Sequence, residues 1–173
     1  GAGATPTAGS VKIDGSNLGS ALAGTIAATR LSANTTSGFS IVKYTGNDTA
    51  GATLAHGLGV APEFVQVKNL TIAQDWYGTS PELGTTGDTT GGLDEYYMIQ
   101  LNSDGGKADF GQDNVFGFTS TTFSVGSSGV MNGVNNSSYS YVAYLFASIE
   151  GYSKVGIYEG NGDTDGPFIY TGF

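Results

Sequence analysis

The chain has 173 residues with a formal net charge of −9, 29 glycines and no cysteine. Without cysteine, disulfides, thiolate zinc sites and cysteine nucleophiles are excluded. Its 6 basic residues are scattered along the sequence, which argues against a basic patch and hence against a nucleic-acid partner or docking to anionic lipid. The acidic surplus favours a cation or a neutral sugar instead. No apolar run is long enough to span a bilayer, so no membrane insertion is expected.

Residues 1–24 are predicted to form an N-terminal arm, because the first ten are small and flexible. Residues 11–15 match a short strand and a turn within that arm. The Ala-rich stretch 18–33 leaves two alternatives, a helix or a strand over residues 25–32. Its glycines and threonines, and the lack of a clear helix cap before it, favour the strand.

From residue 38 onward, apolar and polar residues alternate in short runs that end at glycine-rich turns. Residues 79–94 and 131–138 are predicted to be loops. The most apolar stretch, 139–149, is predicted to be a strand at the centre of a sheet, buried on both faces. The remaining predicted strands are 39–44, 52–58, 63–69, 74–78, 96–101, 115–119, 122–126, 155–158 and 168–170. Such a pattern is typical of an all-β protein, a β-sandwich or jelly roll.

A short motif occurs twice: Tyr44-Thr45-Gly46-Asn47 returns as Tyr158-Glu159-Gly160-Asn161. It predicts a duplicated hairpin, at 40–59 and 153–173, inside a sandwich that covers residues 25–173. Only the first copy is followed by Pro62 and a core strand. The second copy is therefore expected either to close the same sandwich or to offer a strand pair to a neighbouring subunit.

The sequence GFSIVKYTGN at 38–47, followed by HGLGVAP at 56–62, resembles a module common in tail-fibre and other structural proteins of marine phages. The similarity extends over about Ser32 to Phe173 and includes the segments 141–147, 150–156 and 166–173. The resemblance implies a concanavalin-like or jelly-roll sandwich on an elongated virion protein, and it implies no activity. In that family the second copy continues into another Pro-containing core strand, so a complete second domain is not expected here.

Aromatic residues provide the candidates for sugar binding, because their rings stack on the C–H faces of pyranoses. The alternative is that these rings fill the core between the sheets, since Trp and Tyr are favoured in strands. The candidate glycan-binding residues are Trp76, Tyr77, Tyr96 and Tyr139.

Asn161, Asp163 and Asp165 place oxygen side chains at alternate positions, as at the start of a calcium loop. Gly172 stands where such a loop would have an acidic residue, so a plain hairpin tip is the favoured alternative and no cofactor is required. The only histidine, His56, has no Ser or Cys partner motif and is expected to bond with the backbone. No carboxylate pair is singled out, so the chain is not expected to be an enzyme.

These observations lead us to expect a non-enzymatic structural module of a phage tail fibre or virion appendage, located on a virion or outside the cell. It is expected to be a homo-oligomer, a trimer or a filament, that assembles through the N-terminal arm and the C-terminal hairpin and that contacts surface glycans. One alternative is a subunit of a bacterial extracellular filament or adhesin joined by strand donation. Another is a calcium-dependent, lectin-like module.

Overall fold

The computed structural model describes residues 9–18, 22, 24–84, 97–109, 116–126 and 133–172. Within these ranges the chain forms β-strands, one 3-10 turn at Pro81–Leu83 and no α-helix, which confirms the all-β prediction. The strands are β1 (Val11–Ile13), β2 (Ser16–Asn17), β3 (Arg30–Asn34), β4 (Phe39–Thr45), β5 (Ala52–Ala55), β6 (Phe64–Asn69), β7 (Trp76–Thr79), β8 (Met98–Gln100), β9 (Thr122–Val125) and β10 (Ser140–Phe146).

Eight strands form one large mixed sheet in the order β2-β1-β3-β4-β10-β6-β7-β8, and β5 pairs with β9 in a small second sheet. Only the β1–β3 pair is parallel. The two sheets have a shared apolar core, in which Leu54 and Phe123 from the small sheet are fully buried. The architecture is that of a β-sandwich with one layer much wider than the other.

Strand β10 lies at the centre of the large sheet, between β4 and β6, as its apolar sequence predicted. The prediction that it is buried on both faces is wrong. Tyr141, Ala143 and Leu145 are buried against the core, whereas Phe146 on the opposite face is exposed. Among the described residues, the small second layer packs on one face of the sheet only, and we call the other the outer face.

Two buried tyrosines connect β4 and β10 to the loop before β10, residues 133–136. The ring of Tyr44 stacks on that of Tyr141, with centroids 5.2 Å apart. The Tyr44 hydroxyl donates to the carbonyl of Val134 at 2.7 Å, and the Tyr141 hydroxyl accepts from the N–H of Asn136 at 2.9 Å. Burial raises the pKa of Tyr141 to about 12, so both groups are neutral at physiological pH.

Asn135 extends this contact with a fully buried side chain. Its Oδ1 accepts from the N–H of Asn47 at 2.9 Å, while its Nδ2 donates to the carbonyls of Thr49 and Gly126 at 2.9 and 2.6 Å. Gly46 permits the close approach, because a Cβ there would lie 2.4 Å from the carbonyl carbon of Asn135. We call this set of contacts the Asn135 clasp.

The described part of the predicted N-terminal arm is not free. Val11 and Ile13 pair in parallel with Leu31 and Ala33, and Val11 is buried. The predicted strand over 25–32 is shifted, since β3 begins at Arg30 and ends at Asn34. Buried Ile26 lies before it and donates its N–H to the carbonyl of Thr53, next to the small sheet. These apolar contacts of the early residues place them in the domain.

The predicted pair of strands over 115–119 and 122–126 is present only in part. Phe118 forms a bridge with Phe123, and Ser124 donates its N–H to the carbonyl of Gly117, but β9 forms its ladder with β5. The prediction of a duplicated hairpin is also wrong. In the first copy, 40–59, β4 and β5 lie in different sheets and do not pair with each other. The second copy, 153–173, contains no strand in its described residues, and an isolated two-stranded hairpin with no packed face is only marginally stable.

The Asn135 clasp predicts unequal effects for the same substitution in the two copies of the motif. Gly46→Ala should destabilise the fold by about 2–3 kcal/mol, because its Cβ would overlap the backbone of Asn135. Gly160→Ala is the matched control: a Cβ at Gly160 meets nothing within 4 Å, and an exposed substitution is expected to change stability by less than about 0.5 kcal/mol. Urea unfolding of both variants measures the difference, and equal effects would contradict the clasp.

Candidate functional site

Of the predicted sugar-binding residues that the structure describes, Trp76 is the one whose ring lies on the outer face. It begins β7 and is 39% exposed. Its backbone N–H donates to Oδ1 of Asn102 at 2.9 Å, and Nζ of Lys68 lies 5.5 Å from its ring centroid. The backbone of Trp76 is thus bonded to Asn102, and its ring lies on a solvent-facing surface, where it could stack on a sugar.

Tyr77 lies on the opposite side of the sheet from Trp76, because successive strand residues face opposite ways. It is 4% exposed and packs in the core. Its hydroxyl lies 3.5 Å from Oδ2 of Asp75, whose carboxylate also accepts from Gln100 and Asn102 at 2.7 and 2.9 Å. Trp76 and Tyr77 thus do not form a shared platform.

Tyr139 is half-buried and packs against the core next to the Asn135 clasp. Its carbonyl accepts from Gly46, and its N–H donates to Asn136. This environment matches the core-filling alternative. The fourth candidate, Tyr96, lies outside the described residues.

The outer face concentrates positive charge, which the sequence reasoning missed. Lys12, Arg30, Lys43 and Lys68 all lie there, as the register of β1, β3, β4 and β6 shows. They are four of the 6 basic residues, so the expectation that basic residues scattered along the sequence form no basic patch is wrong. The sequence did contain a sign of this arrangement, because each of these cations lies at a polar position of a strand that alternates buried and exposed residues. Only the strand order brings them onto one surface.

Asn161, Asp163 and Asp165 lie together in one exposed turn, as the spacing predicted. Oδ1 of Asn161 accepts from the N–H of Asp163 at 3.0 Å, and Oδ1 of Asp163 accepts from the N–H of Thr164 at 2.9 Å. These side-chain oxygens stabilise the turn itself, as in the hairpin-tip alternative. Across the ranges that the structure describes, no group of three or more His, Asp or Glu residues could hold a metal ion. Calcium binding here stays a prediction.

His56 is fully buried, and both ring nitrogens bond with the backbone. Nδ1 accepts from the N–H of Leu58 at 3.1 Å, and Nε2 lies 3.1 Å from the carbonyl of Thr119, which can only accept. The ring is thus the neutral Nε2–H tautomer. It connects the segment after β5 to the turn before β9, which confirms the expected bonding with the backbone.

A pH effect follows from His56. Burial lowers its pKa below the ordinary 6.5, and the bond with Thr119 offsets this only in part. The unfolded chain therefore binds a proton more readily, so this stabilisation is fully present above the unfolded pKa and declines as pH falls below it. The free energy of unfolding should drop more for the wild type than for His56→Gln between about pH 8 and about pH 5. Equal drops, measured by urea unfolding, would contradict the assignment.

The second copy of the repeated motif is exposed. Tyr158 is 68% exposed, and no described atom lies near where a Cβ of Gly160 would be. The first copy, by contrast, binds the 133–136 loop through Tyr44, Gly46 and Asn47. Apolar side chains are exposed at both ends of this C-terminal segment (residues 157–170): Ile157, Tyr158, Phe168, Ile169 and Tyr170.

Fold and surfaces together define a β-sandwich module with a cationic outer face and an exposed, apolar C-terminal segment. No helix among the described residues has the length and hydrophobicity needed to cross a membrane. The chain belongs to the family described as domain of unknown function DUF7483, whose profile matches residues 12–173. No curated protein and no solved structure matches the chain.

Proposed function

We propose that this chain is a non-enzymatic structural module of a phage tail fibre or a similar virion appendage, in which the C-terminal segment packs against a neighbouring copy. The observation that carries the proposal is the exposed second motif. Its first copy binds a loop through tyrosine, glycine and asparagine, whereas the second presents the same residue types to solvent. The resemblance of 38–47 and 56–62 to marine-phage structural modules supports the virion setting.

Exposed apolar area gives an independent reason to expect a partner for this segment. Phe168 is 92% exposed and Tyr170 80%, and clustered apolar residues on a soluble protein mark interaction sites. Burying such a side chain stabilises an interface by about 1.5–3 kcal/mol. A strand pair offered to another copy would satisfy both the side chains and the backbone of the segment.

A shortened variant tests the assembly. A chain that ends at Gly156 keeps the bond from the N–H of Val155 to Ser148 but lacks the C-terminal segment. We expect the full chain to be oligomeric by light scattering and the shortened one to be monomeric, with the same urea midpoint at equal low concentration. In the full-length chain, Phe168→Ser with Tyr170→Ser should weaken assembly without loss of the fold.

Two outcomes would contradict the assembly proposal. One is a full-length chain that is monomeric at every concentration tested. The other is a shortened chain that assembles as well as the full-length one, because the C-terminal segment would then have no part in the contact.

A second candidate function is the binding of surface glycans, within the same appendage or in an extracellular adhesin. The observation that favours it is Trp76, an aromatic ring exposed on the outer face, with Lys68 beside the ring and Asn102 bonded to the Trp76 backbone. An aromatic side chain offers a flat stacking surface to a sugar and has few rotatable bonds to immobilise on binding.

A further inference from the structure

We propose that the outer face binds an acidic polysaccharide with sparsely spaced carboxylates, along the row of cations that ends at Trp76. The inference rests on the glycan-binding candidate above and names its ligand class. The row runs across five strands: Arg30 is paired with Lys43, Lys43 with Val142, Val142 with Lys68, and Lys68 with Trp76. A chain lying perpendicular to the strands would meet these residues in turn.

Charge is strongly segregated in this domain. None of the ten strands contains Asp or Glu, so the carboxylates that the structure describes lie in turns and loops. The cross-strand neighbours of Lys12 and Lys43 include Ser32 and Val142 and no carboxylate. A cluster of cations without neutralising partners repels itself, and an anionic ligand would relieve that repulsion.

A groove of about 690 Å³ lies beside this row. Its described lining holds Lys12, Arg30 and Lys43, no carboxylate, and an apolar floor that includes Ile41 and Val142. A groove with an apolar floor and a cationic edge suits an acidic sugar polymer, because the sugar rings present C–H faces and the carboxylates project sideways. At the far end of the row, Trp76 adds a stacking surface.

The spacing of the cations separates this ligand class from nucleic acid. Neighbouring strands lie about 4.8 Å apart, which places the backbones at Lys43 and Lys68 about 10 Å from each other. Nucleic acid carries one phosphate per nucleotide, about 3.4 Å of helix axis per strand in a duplex, so a bound duplex would bring more charges than the cations of this face could neutralise. The net charge of −9 would also repel so dense a polyanion, whereas one carboxylate per disaccharide fits the row.

Binding of hyaluronate fragments to the full-length chain, measured by calorimetry at low ionic strength, tests the proposal. We expect binding that weakens as salt is added, and no comparable binding of dextran or of an oligodeoxythymidylate. Lys43→Gln should weaken binding about two- to fivefold, the effect of one exposed ion pair, and Arg30→Glu with Lys43→Glu should abolish it. Trp76→Leu should weaken binding as well.

Lys154→Gln is the matched control, because it removes the same charge from an exposed position outside the groove lining. It should bind like the wild type, and circular dichroism should show all variants folded. The proposal is overturned if the groove variants bind hyaluronate like the wild type, if the oligonucleotide binds in its place, or if the groove variants change only self-association.

Two further outcomes distinguish a failure of the acidic ligand class from a failure of glycan binding as such. Binding of a neutral glycan that depends on Trp76, with no binding of hyaluronate, overturns the acidic ligand class and keeps glycan binding. The absence of binding to any glycan overturns both. The chain ending at Gly156 should bind hyaluronate normally, so a failure of the assembly proposal would leave this result unaffected.

Discussion

The contact on which the two-layer structure depends is the Asn135 clasp. Burying an asparagine side chain costs free energy unless its donors and acceptors are all engaged, and here one amide serves Asn47, Thr49 and Gly126. Those groups belong to the β4–β5 connection and to the end of β9, so a single side chain joins both sheets. The tyrosines beside it add stacking and two hydroxyl bonds. The motif around Gly46 is therefore one half of an interface inside the domain.

Because the first motif packs against a loop of the domain, the two copies of the repeat are not structurally equivalent. The second motif has the same residue types around Gly160 but no loop against it among the described residues. A hairpin gains its stability from the face on which it packs, so the sequence pattern alone does not produce strands at residues 155–170. Strand formation in the second copy should then be coupled to whatever supplies the equivalent of the 133–136 loop. In this proposal, assembly with a neighbouring copy and folding of the C-terminal segment are one coupled equilibrium.

Local alternation was sufficient to predict much of the large sheet. Strands β4 and β6 lie where the periodicity placed them, because each buries alternate side chains, and β10 lies where its apolar sequence placed it. Predictions failed where structure depends on distant partners: β9 forms its ladder with the distant β5 and only a bridge with its sequence neighbour, and buried Val11 belongs to the sheet rather than to an arm. Strand order cannot be read from periodicity, since a period of two says which side chains share a face of one strand and nothing about the next strand.

The candidate site failed to emerge from the sequence for the same reason. Net charge averages over the whole surface, whereas a bound ligand responds to charges within about 8 Å at physiological salt. Residues 30, 43 and 68 are far apart in the chain, and pairing through β10 aligns them in one row. The described acidic residues lie in turns and loops, whereas the outer face of the sheet is positively charged. Strand pairing thus builds the core on one face of the large sheet and assembles a cationic surface on its outer face.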